Sequence, residues 1–229
     1  MSSIPYINIH THPLHKEADS ITVQNIFPGD GFAAFSGRNF YSVGLHPWHL
    51  GTKNQNNEAM QMVEEALEFD HVIFVGEAGL DKINGGDFIE QQRVFEAHAV
   101  MAEEYECPLI IHCVKAMNEV VELRNKMNPV LPWIMHGYNG SLEFTKQLEE
   151  KGFLFSFGKN LFRENSKAVK SFKYLPLNKI FFETDELDSD VDAIYEQAAS
   201  LKELPIEKLK EAVWKNFNQI ENSLIPGRI

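Results

Sequence analysis

The feature that most narrows the folds open to this chain is a rhythm. Short runs of β-branched and aromatic residues alternate with longer segments of helical period. The runs are Ile7–His12, Ile21–Ile26, Phe40–Gly44, Val72–Val75, Leu109–His112, Pro132–Met135, Phe153–Phe157 and Ile180–Asp185. Near-continuous apolar runs of this length suit strands buried on both faces, as in a parallel sheet covered by helices. Helical period follows in Ala59, Met62, Val63, Ala66 and Leu67, and again in Phe95, Ala99 and Ala102 within a helix predicted over 88–106. Further helices are predicted over 117–126, from an N-cap at Ser141 to Gly152, and over 166–172; two more close the chain, the last with Pro205 in its first turn and Leu209, Val213 and Phe217 on one face. About eight strands with intervening helices predict an α/β fold, a (β/α)8 TIM-type barrel somewhat abbreviated in its first units. A doubly wound open sheet is the alternative. The 229 residues are read as a single domain, 1–229.

Composition bounds the function classes. With 44% hydrophobic residues the chain can bury a large core, and no apolar run approaches the ~20 residues of a membrane span. The start lacks the basic and apolar segments of a signal peptide, so a cytoplasmic protein is expected. Cys107 and Cys113 are expected to be reduced. The balance of 21 basic against 33 acidic residues gives −12, which argues against a broad nucleic-acid-binding face and against a stable nucleic-acid complex. It leaves room for a phosphate substrate held by cations.

Chemistry collects at the C-terminal ends of the predicted strands, where barrels build their active sites. The first strand ends in His10 and His12, which its two-residue period points to one side. The third is followed by His46, the fourth by Glu77, the fifth ends in His112, the sixth is followed by His136 and the eighth ends in Asp185. Four His (10, 12, 112, 136) with Glu77 and Asp185 suit two divalent ions, and imidazole with carboxylate suits Zn²⁺, Mn²⁺ or Fe²⁺. Two such ions activate water and stabilise a displacement, so hydrolysis is expected.

Six segments then carry a resemblance: Ile9-His10-Thr11-His12, Gly44-Leu45-His46-Pro47, Gly76-Glu77-Ala78-Gly79-Leu80-Asp81, Pro108-Leu109-Ile110-Ile111-His112, His136-Gly137-Tyr138-Asn139-Gly140-Ser141 and Glu183-Thr184-Asp185. In order and spacing the chain resembles the TatD family of metal-dependent DNases, within the amidohydrolase-like barrels. The resemblance implies phosphodiester hydrolysis at DNA 3′ ends with two divalent ions (Zn²⁺, Mn²⁺ or Mg²⁺). It implies His10, His12, Glu77 and Asp185 on one ion, and Glu77, His112 and His136 on the other, with Glu77 bridging. It also implies Asp185 as the group that orients or deprotonates the water, and His46 beside the substrate phosphate. Two departures stand out. The family's Arg two residues past the fifth-strand His is Val114 here, followed by Lys115, and the loop after Asp185 is acidic, Glu186-Leu187-Asp188-Ser189-Asp190. Lys115, Lys159 and Arg163 are the candidate phosphate anchors, and a small ester, amide or phosphoester is the alternative substrate. A barrel that keeps its metals and serves only for binding is a third reading. Trp48 is a candidate for stacking on a base or for packing at the rim, His49 for lining the pocket, and Asp81 for orienting neighbouring ligands. His15, His71 and His98 are read as structural or exposed.

Overall fold

The computed structural model describes residues 4–12, 19–30, 40–187 and 189–224. Its strands are β1 Tyr6–Thr11, β2 Ser20–Ile26, β3 Phe40–Val43, β4 Val72–Asp81, β5 Leu109–Val114, β6 Trp133–Met135, β7 Leu154–Phe157 and β8 Ile180–Phe182. Its helices are α1 Lys53–Leu67, α2 Phe88–Glu104, α3 Met117–Met127, α4 Leu142–Glu150, α5 Lys167–Tyr174, α6 Asp192–Lys202 and α7 Ile206–Leu224. The sheet order is β1-β2-β3-β4-β5-β6-β7-β8, with β1–β2, β3–β4, β4–β5 and β7–β8 paired in parallel. A parallel bridge between Thr11 and Asp185 links β1 to the chain just past β8. This is the (β/α)8 barrel class. Spatial order equal to sequence order excludes the doubly wound alternative, whose order reverses at a switch point.

The chain divides into two compact units, Met1–Gln24 with Met135–Ile229, and Asn25–Ile134. In the first, the interior is phenylalanine-rich: Phe153, Phe155, Phe157, Phe172, Phe181, Phe182 and Phe217 are all buried. Tyr138 packs on Phe155 at 4.8 Å, and its hydroxyl meets Thr145 Oγ1 at 2.9 Å. Ser141 caps α4 by accepting from the Phe144 N–H, and Ser166 caps α5 through Val169. In the second unit, Tyr41, Phe74, Phe95 and Trp133 are buried, and α1 starts with a capping box between Thr52 and Gln55.

Three details differ from the sequence reading. On α1 Met60 is buried and Met62 is 43% exposed, because the apolar face turns toward Val63, Ala66 and Leu67 with Met60 beneath. β4 does not stop at Val75 but continues through Gly76 and Gly79 to Asp81, all ten residues buried. β8 ends at Phe182, and Asp185 takes left-handed φ (58°), which removes it from the ladder. The early units are short: among the described residues no helix joins β1 to β2 or β2 to β3, and Pro28–Asp30 forms a single 3-10 turn. His15 and Asp188 lie outside the described residues. Both cysteines are free thiols, and burial pushes that of Cys113 up to about 12. Among the described residues no helix is long and apolar enough to cross a membrane.

The glycines of β4 carry weight. Gly79 lies opposite His112 in the β4–β5 register, at φ +155°, and a Cβ there would lie 1.9 Å from the His112 carbonyl oxygen. Gly79→Ala is therefore expected to destabilise the protein by about 2–3 kcal/mol through forced separation of the two backbones, read as a lower urea midpoint.

His98 is buried on α2, its Nε2 accepting the Leu45 N–H at 2.9 Å while Nδ1 meets the Val94 carbonyl at 2.8 Å. Burial lowers its pKa from 6.5 to about 4. The folded protein keeps this ring neutral, so above about pH 6.5 it carries no penalty. As pH falls the unfolded chain takes the proton first, and stability declines until about pH 4. A loss of about 3 kcal/mol is expected across that window, seen as the difference in urea stability between wild type and His98→Gln. An equal pH slope in both proteins contradicts it.

Candidate metal centre

In the first unit, β1 and the segment after β8 are zipped together by polar contacts. Asn8 Nδ2 donates to Thr184 Oγ1 (2.9 Å), the Thr184 N–H donates to Asn8 Oδ1 (3.1 Å), and Thr184 Oγ1 donates to Thr11 Oγ1 (3.0 Å). The Asp185 N–H donates to the His10 carbonyl (3.1 Å), and the His12 N–H donates to that of Asp185 (3.0 Å). The exchange holds Asp185 in its left-handed conformation beside the two histidines, a conformation Asp tolerates better than most residues. Ligand-type atoms of His10, His136 and Asp185 lie within 4.8 Å of one another. The His10 ring is 5.0 Å from that of His12 and 4.6 Å from that of His136. His12 Nε2 stands 3.6 Å from Asp185 Oδ1, and Lys159 Nζ stands 3.4 Å from Oδ2.

Glu183, buried, supports this group. Its Oε1 accepts the Gly137 N–H at 2.5 Å and faces His136 Nδ1 at 3.3 Å. A carboxylate there favours a proton on Nδ1, from which it accepts a hydrogen bond, and so the lone pair on Nε2, the tautomer that can ligate a cation. Sequence reasoning quoted Glu183 within a motif but gave it no role. The available signal was an acidic residue leaving a wholly apolar strand.

In the second unit, His46, Glu77 and His112 gather ligand-type atoms within 4.8 Å, and all three are buried. Hydrogen bonding assigns their protons. His46 Nδ1 accepts the Trp48 N–H at 3.1 Å, so its proton sits on Nε2, which donates to Glu77 Oε1 at 3.2 Å. In that tautomer His46 offers an N–H and not a lone pair. His112 Nε2 lies 3.3 Å from Asp81 Oδ2, and its Nδ1 lies 2.8 Å from Glu77 Oε1. Asp81 is ionised: burial works to raise its pKa, but the Asn84 N–H, the Trp48 indole, the Ile83 N–H and His112 together lower it to about 2. His112 is thus held between two buried carboxylates, one at each ring nitrogen. With its proton on Nε2 toward Asp81, its Nδ1 lone pair would face Glu77, and a divalent ion would fit between them. The donor set of imidazole and carboxylate suits such an ion.

The remaining sequence candidates lie at the margins. Lys115 is exposed at left-handed φ (56°) just past β5, and Arg163 is exposed past the 3-10 turn at Lys159–Phe162. His49 is exposed and packs edge-on against Phe27 at 4.4 Å. His71 ring-packs near Phe40 at 6.3 Å. Asp81, considered for orienting neighbouring ligands, lies 3.3 Å from His112 Nε2 and accepts from Trp48 Nε1 at 2.6 Å.

The model of TatD-related DNases matches residues 32–222. The chain belongs to that family. TatD relatives include an uncharacterized metal-dependent hydrolase of Haemophilus influenzae, 24% identical and covering 90% of this chain and 84% of that protein. A second, YabD of Bacillus subtilis, is 26% identical over 79% of this chain and 76% of its own length. The 3′-5′ ssDNA/RNA exonuclease TatD of Citrobacter koseri is 22% identical, covering 78% of this chain and 76% of its own. The fold is shared with the TatD homologue YjjV of Escherichia coli (TM-score 0.79, 19% identity, 96% of this chain and 97% of that one). It is also shared with a TatD-family hydrolase of Entamoeba histolytica (TM-score 0.76, 15% identity, 99% and 100%). The family is one of metal-dependent hydrolases, which agrees with the His, Glu and Asp groups described above.

Glu183→Ala is expected to weaken divalent-ion affinity 10- to 100-fold, because His136 loses the carboxylate that sets its tautomer and ring orientation. Equilibrium dialysis against Mn²⁺ or Zn²⁺ measures this, and unchanged affinity removes Glu183 from the centre.

Proposed function

We propose that this TatD-family protein is a metal-dependent phosphodiesterase that removes nucleotides from DNA 3′ ends. The observation that carries the reading is the buried cluster at His112, whose ring stands between two carboxylates, 2.8 Å from Glu77 and 3.3 Å from Asp81. His10, His12, His136 and Asp185 form the cation-holding group of the first unit, and Glu77 with His112 that of the second. A bound divalent ion supplies Lewis acidity, lowering the pKa of water and balancing charge on a phosphoryl oxygen. Asp185 is assigned the proton of the attacking water, its carboxylate being half-buried beside His12. His46, with its proton on Nε2, is assigned a hydrogen bond to a phosphate oxygen. Lys159 is the phosphate anchor we favour, because its ammonium already stands beside Asp185. The name of the Citrobacter koseri relative supports a single-stranded nucleic-acid substrate.

A second reading has its own support. Val114 cannot hold phosphate bidentately as an Arg can, Glu186 and Asp190 are exposed just past Asp185, and the chain carries −12. These features favour a small ester, amide or phosphoester over a polyanion. The experiment is hydrolysis of single-stranded DNA beside small phosphoesters, esters and amides, with Mg²⁺, Mn²⁺ or Zn²⁺ supplied. Release of 3′ nucleotides is expected, with His12→Ala strongly impaired and Asp185→Asn slowed 10²- to 10⁴-fold in kcat. Turnover of small substrates with intact DNA replaces the first reading by the second. Identical behaviour of wild type and both variants on every substrate overturns the two together.

A further inference from the structure

We propose that Trp48 is a stacking platform for the base of the nucleotide whose phosphate lies at Glu77 and His112. The inference deepens the phosphodiesterase reading and rests on it. Trp48 lies in the 3-10 turn Pro47–His49, directly after His46-Pro47. Its indole Nε1 donates to Asp81 Oδ2 at 2.6 Å, yet the residue is 49% exposed. Its ring stands 4.9 Å from that of His46 and 5.6 Å from that of His112, nearly perpendicular to both. A large aromatic side chain is thus pinned by one edge beside the candidate centre while much of its surface meets solvent.

Two physical points turn this into a ligand assignment. Exposure alone does not distinguish it, since Phe69 and Phe162 are about as exposed; what does is that the exposed ring is anchored by a hydrogen bond to Asp81 and stands against His46 and His112. Its hydrogen bond also fixes the rotamer, so a planar ring can stack without first ordering the indole. The chemistry of the ligand follows from what the site lacks. With Val114 in place of the family's Arg, and a net charge of −12, electrostatic grip on a nucleic-acid strand is weak. Stacking on a purine or pyrimidine does not depend on that charge and contributes substantially per base. A sugar phosphate without a base gains nothing from the indole.

The test uses full-length protein with Mn²⁺ and two probes, dAMP and 2-deoxyribose 5-phosphate. Tryptophan fluorescence should be quenched by dAMP and not by the sugar phosphate, and Trp48→Phe, which leaves only the buried Trp133 and the half-buried Trp214 of α7, should abolish the response. Equal quenching by both probes, or quenching that survives in Trp48→Phe, overturns the proposal. Steady-state kinetics adds a second reading on a dinucleotide and on a base-free phosphodiester. Trp48→Leu should raise KM for the dinucleotide about tenfold more than for the base-free diester, while Trp48→Phe, which gives up the same hydrogen bond to Asp81, keeps most of the dinucleotide affinity. A fall in kcat on both substrates alike means that Trp48 acts only by holding Asp81, and the proposal fails. The hydrolase reading is judged separately, by whether wild type turns over either diester at all. Base-dependent quenching without any turnover leaves stacking in place and removes the phosphodiesterase.

Discussion

Ten consecutive buried residues, Val72–Asp81, carry two carboxylates through the interior of the second unit, and this is possible only because the neighbouring backbones come unusually close. A Cβ on Gly76 would lie 2.4 Å from the Ile110 carbonyl oxygen, and one on Gly44 would lie 2.6 Å from Gly76 Cα. Together with Gly79 against His112, these absences of side chain let β3, β4 and β5 approach closely. Glu77 and Asp81 then sit within hydrogen-bonding reach of His46 and His112. Charge–dipole interactions in a buried site weaken quickly with separation, so backbone spacing governs the electrostatics of the whole cluster.

Both units meet the same requirement by the same means. A carboxylate beside one ring nitrogen of an imidazole favours the proton there and the lone pair on the other nitrogen, and a buried carboxylate stands at each of two rings: Asp81 at His112, Glu183 at His136. Each carboxylate accepts from N–H groups, Asp81 from Ile83, Asn84 and Trp48, and Glu183 through Oε1 from Gly137. Without those donors the desolvation cost of the buried charge would be unopposed. His46 shows the complementary case. The Trp48 N–H occupies its Nδ1, so it becomes a donor, although its sequence motif looks no different from that of a ligand. His98 differs again: held between the Leu45 N–H and the Val94 carbonyl, it stays neutral and supports the chain leading to His46.

The position two residues past His112 is Val114, and Lys159 is drawn to Asp185. The loop past Asp185 is acidic. Within the second unit, the exposed Trp48 is pinned to Asp81 and the exposed His49 packs on Phe27.

The sequence by itself determined the alternation of buried strands and helices, the residues at the strand ends and the family they indicate. These are legible because strand burial and ligand chemistry each demand particular residue types at short spacing. Ser141 and Ser166 as caps, and Phe95, Ala99 and Ala102 as a buried face, follow from the same local rules. Four things came only from the tertiary structure: the run of β4 to Asp81, the burial of Met60 over Met62, the contact of Glu183 with His136 and the hydrogen bonds of His46. Each depends on what lies opposite in space: a glycine against a carbonyl, a ring against a carboxylate, a backbone N–H against an imidazole nitrogen. Those partners come from distant parts of the chain, as Glu183 does for His136 and Asp81 for His112, and no local pattern encodes a hydrogen bond between residues brought together only by folding.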